Sequence, residues 1–113
     1  MSDPVDDDNK VGEVFLNRDR ALAELRGCSS EVRAHGVRAL YLFGSTARGA
    51  ASAGSDVDIF IEAESAARFN AFDLIDVKTI LENRLEAPVD LTTRDGLHPR
   101  LRDQIEREAI QVF

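Results

Sequence analysis

"FGSTARGAASAGSDVDIFIE", residues 43–62, decides how the rest of this chain is read. A Gly-Ser pair is followed by ten small or polar residues, Thr46 to Ser55, and then by "DVDIFIE", which has the texture of a β-strand. Period-2 geometry points Val57, Ile59 and Ile61 one way and Asp56, Asp58, Phe60 and Glu62 the other. Asp56 and Asp58 therefore share a face as neighbours. Like charges that close repel, and neither ionises cheaply without compensation. A hard divalent cation, Mg²⁺ or Mn²⁺ rather than zinc, supplies that compensation to all-oxygen donors. An edge strand turning its polar face to water has the same pattern, so Asp-x-Asp alone decides nothing.

The flanking segments add to it. Val37–Phe43, "VRALYLF", is a continuous apolar run suited to a central strand. Gly44 and Ser45 then open a short helical turn. Glycine lets backbone approach an anion, and a serine hydroxyl beside free N–H groups makes a phosphate cradle; a Gly-Ser pair can equally be only a turn. Downstream, Leu74, Val77, Ile80, Leu81 and Leu85 stripe a helix over residues 69–85. Pro88 stops it and begins "PVDLTT", a third strand in which Asp90 faces away from Val89 and Leu91. If that strand pairs with the first acidic one, three carboxylates converge beside a phosphate-binding turn. That is the apparatus of two-metal phosphoryl or nucleotidyl transfer.

The remainder completes a small domain. Asn17 caps a helix carrying Leu22, Leu25 and Val32, which Gly36 ends; Leu97, Leu101, Ile105 and Ala109 step by four along a last helix before "IQVF". The expected class is α+β, a two-layer α/β arrangement with a small mixed sheet of three to four strands and helices packed on it. One domain over residues 13–113 follows an acidic, disordered tail at 1–12. With 113 residues, 43% hydrophobic and 31% charged, the composition is that of an ordinary globular protein. The net charge of −7 argues against a broad basic nucleic-acid footprint, although a bound metal would invert the local field. The lone Cys28 cannot form an internal disulfide and fits a reducing compartment. No apolar run reaches the length of a membrane span, and "MSDPVDDDNK" lacks a signal-peptide core, so a cytoplasmic location is expected.

Phe43, Gly44, Ser45, Asp56, Val57, Asp58 and Ile59, with Asp90 on a later strand, resemble the signature of the minimal nucleotidyltransferases, small members of the DNA polymerase beta-like superfamily. The likeness runs from about Val37 to the end of the chain. It implies that Ser45 and the backbone around Gly44 hold the β- and γ-phosphates of a nucleoside triphosphate. It also implies that Asp56 and Asp58 bridge two Mg²⁺ ions, while Asp90 completes one of them and takes the proton of the attacking hydroxyl. Arg48 has two readings, a phosphate ligand or a brace paired with a carboxylate, and Thr46 is read as a helix cap.

The resemblance further implies AMP transfer from ATP to a tyrosine of a partner toxin of the HEPN ribonuclease type, making the chain an antitoxin. The acidic surface suits a basic partner. Transfer to a small molecule or nucleic acid, or neutralisation of the partner by contact alone, remain the alternatives. Other polar residues receive structural readings: His35 and His98 in loops, Tyr41 in the core, Lys78 on a solvated helix face, and Glu62 too far along its strand to be a ligand. Arg94, Arg100, Arg102 and Arg107 interleave with acids as exposed helix charges do.

Overall fold

The run Val37–Phe43 is strand β1, and everything else is arranged about it. The computed structural model describes residues 17–51 and 55–113, so the tail assigned to residues 1–12, and the domain start at 13, lie outside the described residues. Two helices, α1 (Arg18–Gly27) and α2 (Ser29–Ala34), precede β1, and helix α3 (Gly44–Ala47) follows it. Then come β2 (Val57–Ala63), α4 (Ala71–Leu85), β3 (Val89–Thr93), a 3₁₀ turn (Arg94–Gly96), α5 (Arg102–Glu108) and β4 (Ile110–Gln111). The four strands lie in the order β3-β2-β1-β4, with β2 and β3 parallel and β1 antiparallel to both β2 and β4. This is the mixed-sheet α+β class expected from the alternating elements.

Alternation along β2 sets the two sides of the sheet. Val57, Ile59 and Ile61 join Leu40, Leu42 and Val89 in one buried cluster with Leu25 of α1, Val32 of α2 and Val77, Leu81 and Leu85 of α4. Helix α4 begins at Asn70, whose Oδ1 accepts from the N–H groups of Phe72 and Asp73 at 2.9 and 3.1 Å; Asp73 in turn accepts from the Asn70 N–H at 3.1 Å. This reciprocal cap delays the start to residue 71, two residues after the apolar stripe begins.

Two helical expectations change. The helix read from Asn17 to Gly36 is broken: the Cys28 N–H donates back to Leu25 O at 3.3 Å, and α2 restarts with the Val32 N–H on Cys28 O at 3.1 Å. Gly27 leaves room at the break for the Arg84 guanidinium, which a Cβ would strike. The last helix is also shorter than its stepped leucines suggest. Pro99 disfavours helical geometry for His98 before it, so α5 starts at Arg102 and leaves Leu101 half exposed.

The acid-bearing side of the sheet is only partly polar. Phe60 is 1% exposed there, stacked on Tyr41 with ring centroids 4.6 Å apart and tilted against Phe43 at 5.7 Å. The Arg94 guanidinium lies 4.9 Å above the Tyr41 ring and 5.1 Å above Phe60. Its Nη1 donates to Glu106 Oε2 at 2.8 Å; its buried Nε sits 3.0 Å from Glu62 Oε2, a charge contact without the alignment of a hydrogen bond. Arg94 is therefore no ordinary exposed helix charge: it fastens α5 to the sheet and roofs the aromatic pair. Arg94→Ala is expected to lower stability in urea unfolding by about 0.5–2 kcal/mol from the lost ring contacts alone. Arg94→Lys should recover only part of that, because an ammonium cannot lie flat on the rings.

Candidate active site

Strand register does the first work. In the antiparallel pair, Phe43 is the partner of Asp58, so the next residue, Gly44, brings its backbone against the Asp58 side chain. Gly44 has φ +74°, and a Cβ at that position would overlap the Asp58 carboxylate. Both the left-handed backbone and the close approach require glycine. In the parallel pair, Asp58 is the partner of Asp90, which puts their side chains on one face of neighbouring strands. Asp56 lies just ahead of β2. Asp58 is half-buried, while Asp56 and Asp90 are exposed.

The electrostatics follow. Burial first, then the charges of Asp90 and Asp56, push the Asp58 carboxyl above the ordinary aspartate range, and Arg48 opposes them. Asp56 and Asp90 thus each sit near enough to act on Asp58. Among the described residues no hydrogen bond or ion pair reaches any of their carboxylates. Among the same residues no three acid, histidine or cysteine side chains stand close enough to grip one cation. Hard oxygen donors without an ion pair among the described residues fit a divalent cation, and the Ser45 hydroxyl beside Gly44 fits a phosphate. Asp56, Asp58 and Asp90 are the residues that could hold the first, and Gly44 and Ser45 the second.

The turn itself is α3. Ser45 is half-buried, its carbonyl accepting from the Ala50 N–H at 2.8 Å, and its hydroxyl has no partner among the described residues. Thr46 does not cap the helix, contrary to expectation: Phe43 occupies the cap position without a side-chain bond, and Thr46 is 1% exposed inside the turn. Arg48 takes the bracing position of its two readings, Nη1 donating to Glu108 Oε1 at 3.2 Å.

Most demoted residues sit as expected. His35 follows α2, His98 lies in an exposed turn with Nδ1 accepting from the Arg100 N–H at 3.1 Å, and Lys78 is exposed on α4. Glu62 is paired with Arg38 and Arg94, away from the aspartates. Glu108 was invisible to sequence reasoning. It lies 60 residues from Arg48, and no spacing rule joins them.

Comparison with known proteins agrees with this fold. A family model described as a nucleotidyltransferase domain matches residues 25–112, beginning ahead of the stretch singled out by its motif. A protein of Methanocaldococcus jannaschii, provisionally named a protein adenylyltransferase, is 38% identical over 79 residues, covering 70% of this chain and 83% of its own. A second protein of that organism with the same provisional name is 34% identical over 77 residues, covering 67% and 77%. Among solved structures, one provisionally described as a minimal nucleotidyltransferase superposes with a TM-score of 0.64 at 39% identity, covering 82% of this chain and 89% of that one. A tri-AMPylated HEPN toxin of Shewanella oneidensis in complex with its MNT antitoxin matches with a TM-score of 0.58 at 19% identity, over 82% and 71%. At that identity the likeness is one of fold.

Two outcomes follow from the geometry. Because the folded-state pKa of Asp58 is raised, the native protein binds more protons there than the unfolded chain. Ionising Asp58 therefore costs stability, and the cost grows as pH rises from the unfolded pKa through the folded one. Asp58→Asn should melt above the parent at pH 7 without divalent cations, the gain vanishing near pH 3. Gly44→Ala should lose about 1–3 kcal/mol in urea unfolding at either pH.

Proposed function

The chain belongs to the nucleotidyltransferase domain family, and from that premise we propose that it transfers AMP from ATP to a hydroxyl of a partner protein. The observation that carries this reading is the register that sets Asp58 against Asp90 on one side and Gly44 on the other. The Ser45 hydroxyl, at the start of the turn beside Gly44, donates to an oxygen of the triphosphate. Mg²⁺ held by Asp56, Asp58 and Asp90 would neutralise the triphosphate and make the acceptor hydroxyl easier to deprotonate. Asp90, on the neighbouring strand and exposed, takes that proton. The acceptor oxygen bonds to the α-phosphorus, the bond from that phosphorus to the β-phosphate oxygen breaks, and pyrophosphate departs.

A protein acceptor is favoured by the relatives named as protein adenylyltransferases and by the AMP-bearing HEPN toxin in a structure of the same fold. We take the acceptor to be a tyrosine of a HEPN-type toxin, silenced by the modification, with this chain as its antitoxin. A net charge of −7 favours encounter with a basic ribonuclease.

The test is α-labelled ATP with the product of the neighbouring gene as acceptor. Label is expected on a tyrosine of that protein, lost on chelation and reduced roughly a hundredfold or more by Asp90→Asn. An Asp56→Asn, Asp58→Asn double variant that still neutralises the partner fully would refute the enzymatic account. Label on a small molecule with no protein present would refute the protein acceptor.

A further inference from the structure

The acids on the open side of the sheet fall into two groups. Glu62 pairs with Arg38 and Arg94 at 3.5 and 3.0 Å, and Glu106 with Arg94 and Arg102 at 2.8 and 3.4 Å. Glu108 pairs with Arg48 at 3.2 Å. Asp56, Asp58 and Asp90 form no such pair among the described residues.

Arg48 is the cation placed to end that difference. It leaves the chain one turn after Gly44, whose carbonyl accepts the Arg48 N–H at 3.1 Å and whose backbone lies against the Asp58 carboxylate. A guanidinium loose beside three unpaired carboxylates pairs with them readily, often through two bonds at once. It would then serve as a built-in counter-ion and compete with any metal. Glu108 stands in the way of that collapse. It closes helix α5, which Glu106 ties to Arg94 and so to the sheet; its hold on Arg48 is anchored at its far end.

We propose that Glu108 is a positioning residue that keeps Arg48 off Asp56, Asp58 and Asp90, leaving their charge available to a divalent cation. This rests on the reading that the three aspartates hold such a cation. It assigns Glu108 no contact with substrate.

Mn²⁺ titration of the full chain, followed by electron paramagnetic resonance without nucleotide, tests it. Glu108→Gln should weaken Mn²⁺ binding, by up to about fivefold for one exposed ion pair redirected. The Arg48→Ala, Glu108→Gln double variant should recover the parent affinity, because the competitor is gone. Glu108→Asp, which keeps the charge, should lie between parent and Gln variant. A merely structural loss at Glu108 would persist in the double variant. A diffuse field effect of the lost charge would fade in about 1 M salt, where the screening length is near 3 Å, whereas a contact with half-buried Asp58 persists. Unchanged or tighter binding by Glu108→Gln, no recovery in the double variant, or a difference that disappears in salt would each overturn the proposal. Parent protein whose Mn²⁺ binding is indifferent to Asp58→Asn would instead overturn the metal reading beneath it, a result distinct from all three.

Discussion

One close approach organises the molecule: the backbone of Gly44 lying against the carboxylate of Asp58. It exists because β1 and β2 run antiparallel with Phe43 opposite Asp58, so the chain leaves the sheet beside an acid and must turn there in a left-handed conformation. Shifting that register by one residue would send Asp58 into the apolar cluster and Ile59 out of it. The hydrophobic pattern of β2 therefore fixes the position of the acid as firmly as it fixes the core. Parallel pairing with β3 extends the same constraint to Asp90.

Charge is distributed unevenly over this frame. Farther along the strands, acids are matched by arginines, and Arg94 closes the aromatic pair Tyr41 and Phe60 beneath a guanidinium bound to Glu106. Around Gly44, the aspartates form no ion pair among the described residues, and Asp58 is harder to ionise than an ordinary aspartate. Repulsion left in place at one end of an otherwise paired surface lowers stability there. It is the arrangement expected where an external cation completes the charge balance.

Much of this was legible in the sequence because it depends on local periodicity. The period of two in "DVDIFIE" places Asp56 and Asp58 on one face, and the break at Pro88 isolates the strand carrying Asp90. The burial of Phe60 on the acidic face was not legible, since alternation assigns a side but not what covers it. Arg94 read as one more helix charge because its partners, Glu62 and Glu106, come from separate elements. The pairing of Arg48 with Glu108 escaped for the same reason: long-range contacts between exposed charges leave no spacing in the chain. Helix limits failed where a local backbone event overrode the apolar stripe, at Gly27–Cys28 and at Pro99. The family model matches from residue 25, taking in all of α2 and only the end of α1, so the shared fold begins ahead of the strands that carry the motif.

The central claim is that acids from two strands gather around divalent metal beside the glycine turn. It is tested most directly by nuclear magnetic resonance of the aspartate carboxyl carbons while Mn²⁺ and ATP are added together. The account predicts that the signals of Asp56, Asp58 and Asp90 broaden in concert, while Asp95 and Asp103 stay sharp. Broadening that spares Asp90, or spreads evenly over every aspartate, would contradict it.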